Sequence, residues 1–186
     1  MTQTRSDALV FFGATGDLAY KQIFPALHDL VAHGELDVPV VGVAKAGWSL
    51  DDLKARAQDS IRHHGAVDEG ALAKLLSLLG YVDGDYADAA TFAELRSRLG
   101  DASRPLHYLA IPPSLFATVV EALASSGCAK NARVVVEKPF GRDLPSAREL
   151  NAVLHSVFPE ESIFRIDHFL GKAPVGNLLV FRFGNS

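Results

Sequence analysis

The chain has 186 residues, of which 48% are hydrophobic and 22% charged, enough for one globular domain with a substantial core. The net charge of −4 argues against a nucleic-acid partner, and no apolar run approaches the length of a membrane span. The single cysteine, Cys128, excludes an intrachain disulfide. The polar N-terminus has no apolar segment typical of a secretion signal, so we expect a cytoplasmic protein.

In chain order, short apolar runs alternate with longer amphipathic segments. The predicted strands are 8–12, 38–44, 81–82, 106–111, 133–136 and 162–166. The predicted helices are 17–33, 50–64, 68–79, 89–99, 114–125 and 145–157. Strands that are apolar almost throughout are typical of a parallel sheet covered on both faces. We therefore expect an α/β fold, a Rossmann-like doubly wound parallel sheet with three layers, over residues 1–170.

The segment GATGDLA follows the first predicted strand and opens the first predicted helix. In this position glycines allow a sharp turn, and the free N–H groups of the helix start can bind a pyrophosphate. The candidate coenzyme-binding residues of this turn are Gly13, Ala14, Thr15, Gly16, Asp17 and Leu18. The spacing is GxxGxxA rather than the commoner GxGxxG, and the alternative interpretation is a plain strand-to-helix turn of small residues.

Lys45 stands at the end of the second predicted strand, where NAD-binding folds usually place an acidic residue. A basic residue at this point can accommodate the 2′-phosphate of NADP. Lys45 therefore favours NADP over NAD as the cofactor, although NAD stays possible because surface lysines are common at strand ends.

Two later strand ends carry charged groups at the edge where open α/β sheets bind ligands. Lys138 follows a buried strand and precedes Pro139, and we expect a cis peptide bond between them. Asp167, His168 and Lys172 follow the last predicted strand. His168 and Lys172 could hold a phosphate dianion, and Asp167 could orient a histidine from another segment. The alternative for Lys138 is a structural salt bridge. No metal-binding spacing is found.

Together these blocks resemble the glucose-6-phosphate dehydrogenase family. The matching segments are 13–19, 23–27, 108–113, 137–141 with 143–144, 165–172 and 177–185. The segments EKPFG and IDHFLGK are specific when they occur together, and all occur in the family's order. The resemblance implies NADP-dependent oxidation of glucose 6-phosphate to 6-phosphogluconolactone, an oxidoreductase step of glucose metabolism in the pentose phosphate pathway.

The resemblance also implies residue roles. Lys138 is expected to contact both coenzyme and sugar, His168 and Lys172 to bind the sugar phosphate, and Asp167 to orient the catalytic histidine base. In the family that base and the dimer surface lie in a following β+α domain, of which residues 171–186 resemble only the start. We therefore expect this chain to supply the coenzyme domain and part of the sugar-phosphate site, and to be inactive alone.

Some positions depart from the family pattern. The family usually has arginine where Lys45 stands, lysine where Tyr20 stands, and tyrosine where Phe169 stands. Two alternative functions remain open at this point. One is a non-catalytic NADP-binding module from a truncated gene. The other is a sugar oxidoreductase of the family related to inositol dehydrogenase, although those proteins normally carry GxGxxG.

Overall fold

The computed structural model describes residues 5–167, which form a single six-stranded parallel sheet with helices on both faces. The strands are β1 (Ala8–Phe12), β2 (Val40–Ala44), β3 (Leu79–Asp83), β4 (Pro105–Leu109), β5 (Arg133–Glu137) and β6 (Ile163–Ile166). The helices are α1 (Phe24–Ala32), α2 (Leu50–His64), α3 (Glu69–Leu78), α4 (Ala89–Leu99), α5 (Phe116–Ser125) and α6 (Leu144–His155). The predicted α/β class and three-layer architecture are confirmed.

The strands lie in the order β3-β2-β1-β4-β5-β6, and every neighbouring pair is parallel. The order reverses direction between β1 and β4, which is the topological switch point of a doubly wound sheet. In such sheets the crevice outside the carboxyl ends of the strands at this point binds the ligand. We therefore expect the ligand site among the loops that follow β1, β2, β4 and β5.

Each face of the sheet has its own hydrophobic core. Phe11 packs with α1, α2 and α3 on one face, whereas Val10 and Phe12 pack with α4, α5 and α6 on the other. This division follows from the strand period of two, which sends successive side chains of β1 to opposite faces. All five β2 residues are buried, as expected of a strand covered on both sides.

Side-chain caps explain where four of the helices begin. Ser49, Asp68, Asp88 and Asp143 each accept a hydrogen bond from a first-turn backbone N–H of the helix that follows. The predicted bounds of the second and fourth helices, 50–64 and 89–99, agree with the structure. The predicted third helix is one residue too long at each end, because Asp68 is the cap of α3 and Leu79 is already the first residue of β3.

The first predicted helix, 17–33, is interrupted by a π-helical turn at Ala19–Ile23. The Phe24 N–H donates to the Ala19 carbonyl, five residues back, and Pro25 follows at the start of α1. Proline has no N–H to continue the regular bonding pattern, which accounts for a wider turn at this point. The sequence pattern does not reveal the extra residue, because the apolar side chains keep a helical spacing.

No helix within residues 5–167 is long and apolar enough to cross a membrane.

Candidate functional site

The loops after β1, β4 and β5 lie side by side at one edge of the sheet. Phe12 is in register with Leu109, and Leu109 with Val136, so Gly13 and Lys138 leave the sheet at the same end. They are two strands apart, or roughly 10 Å across the sheet. The structure thus brings the glycine turn and the predicted strand-end lysine to one crevice.

Gly13 is required at this turn for two reasons. Its φ is +80°, which favours glycine, and an added Cβ would lie 2.3 Å from the Ala110 carbonyl oxygen. Its N–H is already used, because it donates to both the Val43 carbonyl and the Tyr86 hydroxyl at 2.9 Å. Gly13 therefore shapes the turn and does not offer its own amide to a ligand.

The helix that follows the turn begins with the bond from the Tyr20 N–H to the Gly16 carbonyl, at 3.1 Å. The amides of residues 17–19 precede that bond and so have no acceptor within the helix. They carry the positive end of the helix dipole toward the crevice. Gly16 keeps this end uncovered, since an added Cβ there would meet only the Gly13 carbonyl, at 3.2 Å. The predicted turn thus fits a pyrophosphate.

Tyr86 is a residue of this site that the sequence analysis missed. It lies in the loop after β3, accepts from the Gly13 N–H at 2.9 Å and donates to the Val43 carbonyl at 3.1 Å. Burial raises the pKa of its phenol. Its ring lies edge-on to Phe12, at 5.7 Å between centroids. The hydroxyl fixes the turn from 73 residues away, a distance over which local sequence patterns carry no signal.

Lys45 lies at the end of β2 as predicted, but its ammonium group is paired. It contacts a carboxylate oxygen of Asp85 at 2.7 Å, and this hydrogen bond raises the pKa of Lys45. Both side chains are largely exposed, so the pair can exchange for another anion at small cost.

The loop that carries Lys45 is held by Asp83 at the end of β3. One carboxylate oxygen of Asp83 accepts the N–H groups of Ala46 and Gly47, both at 2.9 Å, and the hydroxyl of Tyr81 at 2.8 Å. These bonds, with the Ala46 amide the largest contributor, lower the pKa of Asp83 despite the opposing effect of burial. Asp83, the acidic residue at this edge, therefore holds the loop that carries Lys45.

Lys138 follows β5, and its bond to Pro139 is cis, as predicted. Its Nζ contacts a carboxylate oxygen of Asp167 at 2.9 Å, and 54% of the lysine side chain remains exposed. The structural salt bridge considered as the alternative for Lys138 is thus present. The pairing joins two predicted site residues from the ends of β5 and β6, and it does not exclude a ligand role for either.

A second pair lies beneath Lys138. The Tyr108 hydroxyl, on β4, donates a short hydrogen bond to the buried Glu137 at the end of β5. Burial, followed by this bond, raises the pKa of Tyr108. The pair joins the ends of two adjacent strands directly below the position from which Lys138 projects.

His168 and Lys172, both predicted to bind the sugar phosphate, lie outside the described residues, as does the predicted second segment 171–186. Among residues 5–167, no group of three or more His, Cys, Asp or Glu side chains could hold a metal ion.

Comparisons with known proteins agree with this geometry. The family model for the glucose-6-phosphate dehydrogenase NAD-binding domain matches residues 10–177. Glucose-6-phosphate 1-dehydrogenase 1 of Mycobacterium tuberculosis (strain ATCC 25618 / H37Rv) is 48% identical over 97% of this chain and 39% of its own length. The cytoplasmic isoform of glucose-6-phosphate 1-dehydrogenase from Solanum tuberosum is 38% identical over 96% of this chain and 38% of its own length.

Two solved structures have the same fold. The crystal structure of glucose-6-phosphate 1-dehydrogenase from Mycobacterium avium has a TM-score of 0.89, with 47% identity over 98% of this chain and 40% of that chain. A glucose-6-phosphate dehydrogenase in complex with its substrate glucose 6-phosphate has a TM-score of 0.85, with 37% identity over 100% of this chain and 41% of that chain. The chain thus spans well under half the length of these relatives. Since the family match covers most of its residues, the chain belongs to the glucose-6-phosphate dehydrogenase NAD-binding domain family.

Proposed function

We propose that this chain binds NADP and serves as the coenzyme domain of a glucose-6-phosphate dehydrogenase. The observation that carries the proposal is the turn at Gly13, whose geometry leaves the first helical amides uncovered at the sheet's switch point. In this arrangement residues 14–18 surround the pyrophosphate, and the helical amides of residues 17 and 18 donate to it. The amides of Ala14 and Gly16 already donate to the carbonyls of Val43 and Gly13, at 3.3 and 2.9 Å. Lys45 contacts the 2′-phosphate after releasing Asp85.

Lys138 and Asp167 serve the sugar side of the crevice in this proposal. Lys138 donates hydrogen bonds to the coenzyme and to a sugar hydroxyl, because its ammonium group has three donors, one of which already binds Asp167. Once Lys138 turns to the sugar, Asp167 is able to orient a histidine base and stabilise its imidazolium. By family resemblance, His168 and Lys172 hold the sugar phosphate. The coenzyme, when bound, accepts the hydride from the anomeric carbon.

The proposed reaction is the oxidation of glucose 6-phosphate to 6-phosphogluconolactone, the oxidoreductase step of the pentose phosphate pathway. The family resemblance implies that the histidine base comes from a following domain. We therefore infer that the 186-residue chain binds coenzyme but turns over little or no sugar by itself, because a general base alone contributes about a factor of 10²–10⁴. Dimerisation would also involve that following domain. The name of the potato relative supports a cytoplasmic location.

A non-catalytic NADP-binding module is the second candidate. It shares the coenzyme site with the first. The sugar oxidoreductase related to inositol dehydrogenase is set aside, because the match at 10–177 is to a different family.

Fluorescence titration of the purified chain with NADPH and NADH tests the coenzyme proposal. We expect saturable NADPH binding and NADH binding at least about tenfold weaker, since one charge-assisted contact contributes about 1.5–3 kcal/mol. Lys45→Met should weaken NADPH binding and leave NADH binding unchanged. Lys74→Met, an exposed lysine on α3, is the matched control and should change neither. Absence of binding of both dinucleotides contradicts the proposal.

A further inference from the structure

Arg56, on α2, has an unusual environment for a half-buried arginine. Its guanidinium carbon lies 4.6 Å from the ring centroid of Tyr20 and 5.7 Å from that of Trp48. Within residues 5–167 its Nε is shielded from solvent and has no hydrogen-bond partner, and no carboxylate lies in ion-pair contact with the guanidinium. Leaving a buried N–H of a charged group unpaired is costly, so this arginine is suited to an acceptor that the described residues do not provide.

The two rings beside Arg56 come from the two segments that frame the proposed coenzyme site. Tyr20 belongs to the turn after the phosphate-binding loop, and its N–H closes the first helical turn onto Gly16. Trp48 lies three residues after Lys45, in the loop held by Asp83. The guanidinium is therefore located between the pyrophosphate turn and the loop at the end of β2, on the side where a Rossmann-like fold holds the adenosine ribose.

The charges around this point show why a second cation is needed. Lys45 is neutralised by Asp85 at 2.7 Å, and Asp83 and Asp52 add two carboxylates that bind the same loop and the start of α2. A phosphate monoester carries close to two negative charges at neutral pH. Lys45 contacts this phosphate after it releases Asp85, and its single charge then balances only part of the phosphate charge.

On this basis we infer that Arg56 is a coenzyme-specificity residue, which binds the 2′-phosphate of NADP while Tyr20 and Trp48 hold its guanidinium by cation–π contact. The inference rests on the proposed NADP function and deepens it. Contact with two rings restricts the guanidinium, at 4.6 Å from Tyr20 and 5.7 Å from Trp48, so less conformational freedom is lost when its N–H groups bind a phosphate. Tyr20, where the family usually has lysine, thus contributes a positioning ring in place of a charge.

The test compares dinucleotide affinities of the 186-residue chain and two variants. Arg56→Met keeps the packing volume and removes the charge and the donors. We expect its dissociation constant for NADPH to rise about tenfold or more while that for NADH changes less than about twofold. Arg62→Met is the matched control on the same helix, since Arg62 is already paired with Glu69 at 3.1 Å. It should change neither constant.

The outcomes separate this inference from the proposed function. If the unaltered chain binds neither dinucleotide, the proposed function fails. If it prefers NADPH and Arg56→Met keeps that preference, the inference alone is wrong, and a lowered melting temperature in the variant then assigns Arg56 to packing.

A measurement on the unaltered chain covers the case in which Arg56→Met does not fold. Adenosine 2′-monophosphate should shift the Arg56 Nε–H resonance in a nitrogen–proton correlation spectrum, whereas adenosine 5′-monophosphate should leave it in place. A resonance that responds equally to both nucleotides, or to neither, overturns the inference.

Discussion

At the scale of single residues, Gly13 shows how one position serves both fold and site. Gly13→Ala places a methyl group against the Ala110 carbonyl at a positive φ. We expect a loss of about 2–4 kcal/mol in unfolding free energy, from backbone strain and overpacking together. Urea unfolding of the variant and the unaltered chain measures this loss of free energy.

Gly34→Ala provides the control for that substitution. Gly34 has a φ of +72°, but an added Cβ meets nothing within 4 Å. Its cost should be about 1 kcal/mol, because the left-handed backbone costs an alanine about 1–2 kcal/mol and a smaller unfolded-state entropy offsets part of this strain. Equal losses in the two variants would show that close approach to β4 is not what requires Gly13.

The buried side chain of His107 makes the unfolding free energy of the chain depend on pH. It is fully buried on β4, and its Nε2 is 2.8 Å from the Cys128 carbonyl, while its Nδ1 has no partner in the described part of the chain. Burial, with a smaller contribution from the charge of Arg96, lowers its pKa to about 4. The unfolded chain takes up this proton near pH 6.5 and the folded chain near pH 4, so stability falls as the pH is lowered between these values.

We therefore expect the unaltered chain to lose about 3 kcal/mol relative to His107→Gln between pH 7 and pH 4. Glutamine does not titrate, and its amide can still donate toward Cys128. Unfolding free energies measured by urea at several pH values give the two curves. Parallel curves for the two proteins would contradict the prediction.

At the scale of elements, the start of α2 depends on a reciprocal cap. The Asp52 N–H donates to the Ser49 hydroxyl at 3.2 Å, and the Ser49 N–H donates to the Asp52 carboxylate at 2.8 Å. Ser49→Ala should cost about 1 kcal/mol of unfolding free energy, because a first-turn N–H loses its acceptor. Calorimetry or urea unfolding measures the loss.

Ser77→Ala is the comparison for the cap. Ser77 lies near the end of α3, where its hydroxyl only bonds back to the Lys74 carbonyl at 2.6 Å. Alanine is a better helix former than serine, so this variant should be neutral within about 0.5 kcal/mol. A loss as large as that of Ser49→Ala would mean that the cap has no special role.

The sequence predicted the helices and strands better than the side-chain contacts that join them. The alternation of apolar strands and amphipathic helices predicted the fold class, and the predicted bounds 50–64 and 89–99 agree with α2 and α4. Lys45 and Lys138 were placed at strand ends correctly, because strand ends follow from local pattern. Their partners Asp85 and Asp167, and the contact of Tyr86 with Gly13, were not predicted, because these contacts join segments distant in sequence.

At the scale of the whole molecule, coenzyme binding should stabilise the entire fold. The turn contacts β2, β4 and the loop after β3 through Val43, Ala110 and Tyr86, so its ligand should bind only the folded state. At NADPH concentrations of about 100 times the dissociation constant, mass action adds about 3 kcal/mol. For a chain of this size we expect the melting temperature to rise by roughly 6–10 °C.

Differential scanning calorimetry at several NADPH concentrations checks this expectation, and the shift should grow with the logarithm of concentration. NADH at equal concentration should give a smaller shift. A melting temperature that does not respond to NADPH, while fluorescence reports binding, would place that binding outside the folded site.

The π-helical turn at Ala19–Ile23 has a consequence for how the chain tolerates length changes. A π turn holds one more residue than an α turn but ends at nearly the same rotation about the helix axis. Deleting a single residue here would therefore convert it into a regular turn, with α1 still seated on its core through Phe24 and Leu27 and the preceding loop still at the crevice. We expect homologous chains that share the loop geometry to tolerate the loss of this one residue between Gly16 and Pro25, but not of two.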